Sequence, residues 1–188
     1  KEFFTMDELI EAFDLSGLSK SPAIFNVEKL NWFNHEYIMK MDFEDYLQMA
    51  TPWFDKVLAG KNMDYRMLAS LMHTRTEIFS QVPDQVKFLA VLPEYAPEIY
   101  THKKMKTNPE IALKALELAR PALAALDNFS EEAVKEVLMN LAAANEMKNG
   151  QIMWPVRIAI SGLASTPGGA TEIAYLLGKD ECLRRIDK

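Results

Sequence analysis

The sequence holds a single cysteine, Cys182, so it can form no internal disulfide and cannot build a cysteine-rich zinc site. Glycine and proline are sparse, 7 and 9 in 188 residues, which excludes a collagen-like or linker-dominated chain. No uninterrupted apolar run approaches the roughly 18–20 residues of a membrane-spanning helix, and the start Lys1-Glu2-Phe3-Phe4 is unlike a secretory leader. A phosphate-cradling loop is missing too, since Thr166-Pro167-Gly168-Gly169 lacks the Lys-Ser/Thr that such a loop needs. His35, His73 and His102 lie far apart, none with a second His or Cys at metal-ligand spacing, and each reads as a partly exposed helical histidine. Glu8, Glu11 and Asp14 share a helical surface of the common solvated kind. With no nucleophile–base pair and no metal cluster, the expectation is a cytoplasmic, metal-free chain that performs no reaction by itself.

What is present is ordinary for a globular protein: 49% hydrophobic and 26% charged residues, enough for one sizeable core or two smaller ones. The formal net charge is −6, which argues against a globally basic nucleic-acid binder. Its distribution matters more. Residues 1–60 hold eleven acidic and five basic side chains, whereas the remainder is balanced. A polyanion could approach the later part of the chain without meeting a general repulsive field.

Apolar spacing is helical almost throughout, and no segment alternates with period two, so the predicted class is all-α. Thr5-Met6-Asp7-Glu8 is a capping box opening a short helix with Leu9, Ile10 and Phe13 on one side. Beyond a break at Pro22, Leu30, Phe33, Tyr37 and Ile38 resume the helical pattern, and Asp42 caps a helix carrying Phe43, Tyr46 and Leu47. Pro52, Gly60 and Pro83 predict breaks, with short helices over 52–59, 64–73 and 84–92. Asn108-Pro109 starts a helix over 109–126, and Ser130 caps another to about 148, which Asn149-Gly150 would end. Shorter helices are expected over 153–163, 169–177 and 179–187. The stretch 93–108, with two prolines and the cluster Lys103, Lys104, Lys106, is the best candidate boundary between two helical subdomains.

The densest signal runs Lys148-Asn149-Gly150-Gln151-Ile152-Met153-Trp154-Pro155-Val156-Arg157, then Ser165-Thr166-Pro167-Gly168 and Leu177-Gly178-Lys179. Pro155 fits a helix first turn, from which Arg157 would project beside free backbone donors. An aromatic, an arginine and a turn with exposed backbone suit splayed single-stranded bases, which are read by stacking and edge hydrogen bonds. The residues alone favour a plainer assignment, with Trp154 in the core, Arg157 in a surface ion pair and the glycines as punctuation.

The run resembles the C-terminal anticodon-binding region of bacterial-type glutamyl-tRNA synthetases, class I aminoacyl-tRNA synthetases. There a Lys-x-Gly, Trp-Pro-x-Arg and Thr/Ser-Pro-Gly series leads to Leu-Gly-Lys. The earlier blocks Phe4-Thr5-Met6-Asp7-Glu8-Leu9, Ser19-Lys20-Ser21-Pro22-Ala23-Ile24-Phe25 and Lys29-Leu30-Asn31-Trp32-Phe33-Asn34 agree with the stretch following the catalytic loop in that family. Ser19-Lys20-Ser21 is itself no catalytic loop, because the preceding Lys-Met and a His-x-Gly-His partner are absent. The resemblance implies an all-α anticodon-binding helical cage: residues 1–40 as the end of the stem-contact region, 41–98 and 99–188 as two helical subdomains. It further implies that Trp154, Arg157, Thr166, Pro167 and Gly169 contact anticodon bases. Gly169 stands where relatives can carry a larger apolar residue. Leu71-Met72-His73-Thr74-Arg75 is the nearest match to the segment that reads the last anticodon base, which points to Arg75. The implied partner is glutamate tRNA, anticodon loop and stem, bound by a monomer, with no DNA and no membrane. ATP and magnesium, used by the parent ligase, would belong to a catalytic domain absent from this chain, leaving no cofactor here. A rival expectation is a helical protein–protein interaction domain using some of the 11 methionines.

Overall fold

Short polar side chains set where the helices begin. In the computed structural model, which describes residues 2–18, 21 and 24–188, Thr5 Oγ1 accepts from the Glu8 amide at 3.2 Å while the Glu8 carboxylate accepts from the Thr5 amide at 2.9 Å. This reciprocal pair opens α1 (Met6–Ala12). Asn26 caps α2 (Val27–Met39), and Asp42 caps α3 (Phe43–Leu58) by accepting from the Glu44 amide at 2.8 Å. Asp64 caps α4 (Tyr65–Met72), which runs into a 3-10 turn at His73–Arg75, and α5 spans Val82–Ala90. Asn108 caps α6 (Pro109–Ala124) and Ser130 caps α7 (Glu131–Ala144). The chain then forms α8 (Asn149–Ser161), α9 (Ala170–Leu177) and α10 (Lys179–Ile186). Among the described residues there is no strand, only an isolated bridge between His102 and Thr107, so the class is all-α as the periodicity predicts. The Pro22 break and the Ser19-Lys20 and Pro22-Ala23 pairs lie outside the described residues.

The proline expectation at 52 is corrected. Pro52 is exposed inside α3, which continues through it. Tyr46, Ala50, Phe54 and Leu58 recur every four residues and are all fully buried, so one face packs along its whole length. An interior proline costs about 3 kcal/mol, and four buried side chains at roughly 1.5–3 kcal/mol for each large one outweigh it. The segment 144–150 is corrected as well. Helix α7 stops at Ala144, Glu146 takes the left-handed conformation with φ 55°, and Asn149-Gly150 begins α8 instead of ending α7. The Met105 side chain explains the glycine: a Cβ on Gly150 would meet Met105 Sδ at 2.7 Å.

Helix α3 packs against α4 and α5, while α6, α7, α9 and α10 surround α8. Helix α8 is the most deeply buried, with Ile152, Val156, Ile158 and Ile160 all fully enclosed. In contrast α1 buries no side chain.

Arg185, on α10, joins these groups. Its side chain is wholly buried, and its guanidinium donates to the carbonyls of Phe88 at 2.8 Å, Leu89 at 3.1 Å and Ile160 at 2.7 Å. Those carbonyls sit in the last turns of α5 and α8, where intrahelical donors have run out. Nε donates to Glu181 at 2.7 Å, and Arg184 holds the same carboxylate from outside. The Arg184 guanidinium, with Arg185 behind it, holds the Glu181 carboxyl at about 2, against 4.5 for a free glutamate. A carboxylate with a depressed folded-state pKa stabilises the fold fully above its unfolded value, and that contribution is lost as pH falls toward the folded value. Glu181→Gln should therefore lower the urea midpoint at neutral pH. Between about pH 4.5 and 2 the wild-type midpoint should fall toward that of the variant; parallel pH profiles for the two proteins would contradict this.

Beside this clamp, burial pushes the Cys182 thiol up to about 12. It is an inert core residue.

Candidate nucleic-acid interface

Helix α8 positions the first two residues of interest. Trp154 and Arg157 are three apart and therefore neighbours on one face. The Arg157 guanidinium lies 4.6 Å from the Trp154 ring centre, a cation–π contact. From there Nη2 donates to the Ala164 carbonyl at 2.7 Å and Nη1 to Thr166 Oγ1 at 3.3 Å. Arg157 is half-buried, and loss of solvent draws its pKa down from the ordinary arginine value. An arginine stays charged regardless.

Pro155 is not in a first turn. Six helical residues precede it, so Arg157 projects from the middle of α8, and no free backbone donors of a helix start stand beside it. The guanidinium is held instead by Trp154, Ala164 and Thr166. The end of α8 is set by Gly162, at φ 68°, where a Cβ would meet Pro93 at 2.8 Å and Tyr95 at 2.9 Å. Only glycine fits there.

The turn after α8 is held from within. Thr166 Oγ1 donates to the Gly168 carbonyl at 2.7 Å while receiving Arg157. Gly169 is the N-cap of α9, and its amide donates to Glu172 at 3.1 Å. Pro167 lies between them, half-buried. The structure thus brings Trp154, Arg157 and Thr166 into one contact network, with Pro167 and Gly169 in the turn that Thr166 anchors.

Arg75 sits apart from that network but on an adjoining element. It is exposed in the 3-10 turn after α4, and its guanidinium donates to the Leu71 carbonyl at 3.0 Å. Leu71 in turn lies against the glycine turn, since a Cβ on Gly168 would meet its side chain at 3.0 Å. Tyr175 of α9 donates to Asp64, the cap of α4, at 3.0 Å and fastens the same two elements.

His102 is a neighbour that residue spacing does not reveal. Its ring centre is 4.1 Å from that of Trp154, on a segment fifty-two residues earlier in the chain. Nothing local announces the pairing. His35 and His73 instead serve the packing of α2 against the 3-10 turn: His35 contacts the Thr76 carbonyl at 3.0 Å and His73 the Ile38 carbonyl at 2.8 Å. Among the described residues no group of three His, Cys, Asp or Glu is arranged to hold a metal ion.

Residues 27–188 match a family model described as an anticodon binding domain. The chain is 47% identical over 186 residues to the glutamate–tRNA ligase of Clostridium botulinum, covering 99% of this chain and 38% of that protein. Against the glutamate–tRNA ligase of Clostridium kluyveri the identity is 47% over 187 residues, again 38% of the relative's length. Among solved structures, a glutamate tRNA ligase from Elizabethkingia meningosepticum, crystallised with its amino acid, superposes with a TM-score of 0.76 at 33% identity. Glutamate-tRNA synthetase from Elizabethkingia anophelis gives 0.75 at 29%. In both, the whole of this chain covers 36% of the solved one. Because the matched residues run from α2 to α10 and contain the entire Trp154–Arg157–Thr166 network, the chain belongs to the anticodon-binding domain family.

Proposed function

We propose that this chain is the anticodon-recognition part of a glutamate–tRNA ligase and binds the anticodon loop and stem of glutamate tRNA. The parent enzyme would join glutamate to that tRNA using ATP and magnesium, through a catalytic part that lies outside this chain. Here the role is binding and discrimination. It acts as a monomer in the cytoplasm, without a cofactor of its own.

The observation that carries this reading is the placement of Arg157. A half-buried guanidinium is held over an indole face and tied to a turn, so its fork is oriented before any ligand arrives. Such a fork matches the acceptor edge of a base in a way that a lysine cannot. Trp154 supplies the packing surface, Thr166 and Pro167 shape the turn, and Gly169 lets the backbone come close. Arg75, one residue-contact away through Leu71, serves the last anticodon base. The first subdomain, 41–98, would carry Arg75, and the second, 99–188, the remaining readers.

Binding of the purified chain to glutamate tRNA, and to the same tRNA with its anticodon replaced, tests the reading. Preference for the native anticodon is the expected result. Equal affinity for the two, with clear binding to both, would refute anticodon recognition by these residues.

A further inference from the structure

Lys103, Lys104 and Lys106 fall within four residues of a chain whose net charge is −6. All three are exposed, and none has a side-chain ion pair or hydrogen bond among the described residues. Elsewhere many of the exposed cations are neutralised: Arg66 by Glu44, Lys87 by Asp84, Arg120 by Asp187 and Arg184 by Glu181. This cluster is the concentrated exception.

The lysines do not sit on a loose loop. Backbone bonds between His102 and Thr107, at 3.1 and 3.3 Å, close the turn at its base. Met105 lies against Gly150, where a Cβ would meet its sulfur at 2.7 Å, and Gln151 donates to the Lys106 carbonyl at 3.2 Å. The Met105 amide donates to His102 Nδ1 at 3.2 Å. The turn is therefore docked on the first turn of α8. The ring of its base residue His102 packs at a tilt against Trp154, whose ring also carries Arg157. Two nearly buried polar atoms at this junction, Thr107 Oγ1 and Trp154 Nε1, have no hydrogen-bond partner.

We infer that the 103–106 turn is a phosphate grip, contacting the sugar–phosphate backbone of the same RNA whose bases the Trp154–Arg157–Thr166 network reads. The inference rests on the anticodon reading proposed above and adds a surface with a different chemistry. Lysine ammonium groups are strongly hydrated point charges without a planar fork, well suited to phosphates, whose contacts position an RNA without reading its sequence. The docking fixes the turn at the start of α8, about 9 Å along the helix from Arg157, so an RNA whose bases reach Arg157 has its backbone within range of the lysines. An acidic molecule needs such a local patch to hold a polyanion, because its overall field does not help.

Each phosphate neutralised contributes about 0.7–0.9 to the slope of log affinity against log salt. The test compares the wild-type chain with Lys103→Gln/Lys104→Gln/Lys106→Gln. A control carries Lys61→Gln/Lys114→Gln/Lys135→Gln, which removes the same charge elsewhere. Binding to glutamate tRNA with native and with replaced anticodon is measured across a salt series. The first triple variant should lose about 10-fold or more in affinity at roughly 0.1 M salt, and its slope should fall by about 2. Its ratio of native to replaced anticodon should stay at the wild-type value. The control should keep most of the wild-type slope.

Equal slopes for wild type and the 103–106 variant would overturn the grip, as would equal losses in both triple variants. A changed anticodon ratio would make the turn a base reader and overturn it as well. A wild type without anticodon preference, but with a slope that depends on these lysines, would refute the proposed function and support the grip. Absence of any tRNA binding by the wild type would overturn both.

Discussion

Arg157→Ala is expected to reduce affinity for glutamate tRNA by about 5- to 150-fold, the range that 1–3 kcal/mol for a base-specific arginine contact implies. The loss should fall mainly on the tRNA with its native anticodon, so that preference over the replaced anticodon shrinks toward unity. The fold should survive, because the side chain is half-exposed and gives up only two hydrogen bonds and one stacking contact. Arg157→Lys sharpens the result. It keeps the charge but not the planar fork, so it should recover phosphate-like, salt-sensitive binding without the anticodon preference. Wild-type discrimination in the lysine variant would show that position 157 acts through charge alone.

Arg185→Met is expected to be the most damaging single change to stability. Three buried carbonyls, those of Phe88, Leu89 and Ile160, would lose their donor together. An unsatisfied buried polar group costs about 1–3 kcal/mol, so about 3–5 kcal/mol in total is a moderate expectation. For a chain of this size that corresponds to a fall of roughly 10 °C or more in the melting temperature. Methionine is chosen because it fills much of the volume, which separates the lost hydrogen bonds from a cavity. Glu181 would not be stranded, since Arg184 still holds it at 2.7 Å. A melting temperature within about 2 °C of wild type would mean that the three carbonyls find other partners.

The parts of this architecture that were legible in the sequence are those decided within four residues. Thr5, Asp42, Asn108 and Ser130 each cap a helix with their own side chain, and each was readable because donor and acceptor are near neighbours in the chain. Pro52 misleads for the opposite reason. Its local preference is to break a helix, and what overrides it is packing of Tyr46 through Leu58 onto α5, which a local pattern does not contain. Asn149-Gly150 has the composition of a helix end, yet its glycine answers the approach of Met105 from forty-five residues earlier. The candidate site divides in the same way. Trp154, Arg157 and Thr166 lie close in sequence and could be singled out together. His102 against Trp154, Leu71 against Gly168, and the Lys103–Lys106 turn against α8 are long-range contacts. The lysine cluster was visible as charge, but its spacing pointed only to a boundary.

The fastening of Arg157 also has a kinetic and entropic side. A free arginine side chain carries about 2 kcal/mol of rotamer entropy, and immobilising such a chain at an interface costs about 0.5–1.5 kcal/mol. With Ala164, Thr166 and Trp154 already holding the guanidinium, that cost is borne when the protein folds and not when RNA arrives. Under the proposed function, the slow partner in the encounter is then the nucleic acid. Its loop must unstack and present bases to a fork that is waiting in place, so the rate of productive capture should follow the opening of the RNA loop more than any rearrangement of the protein.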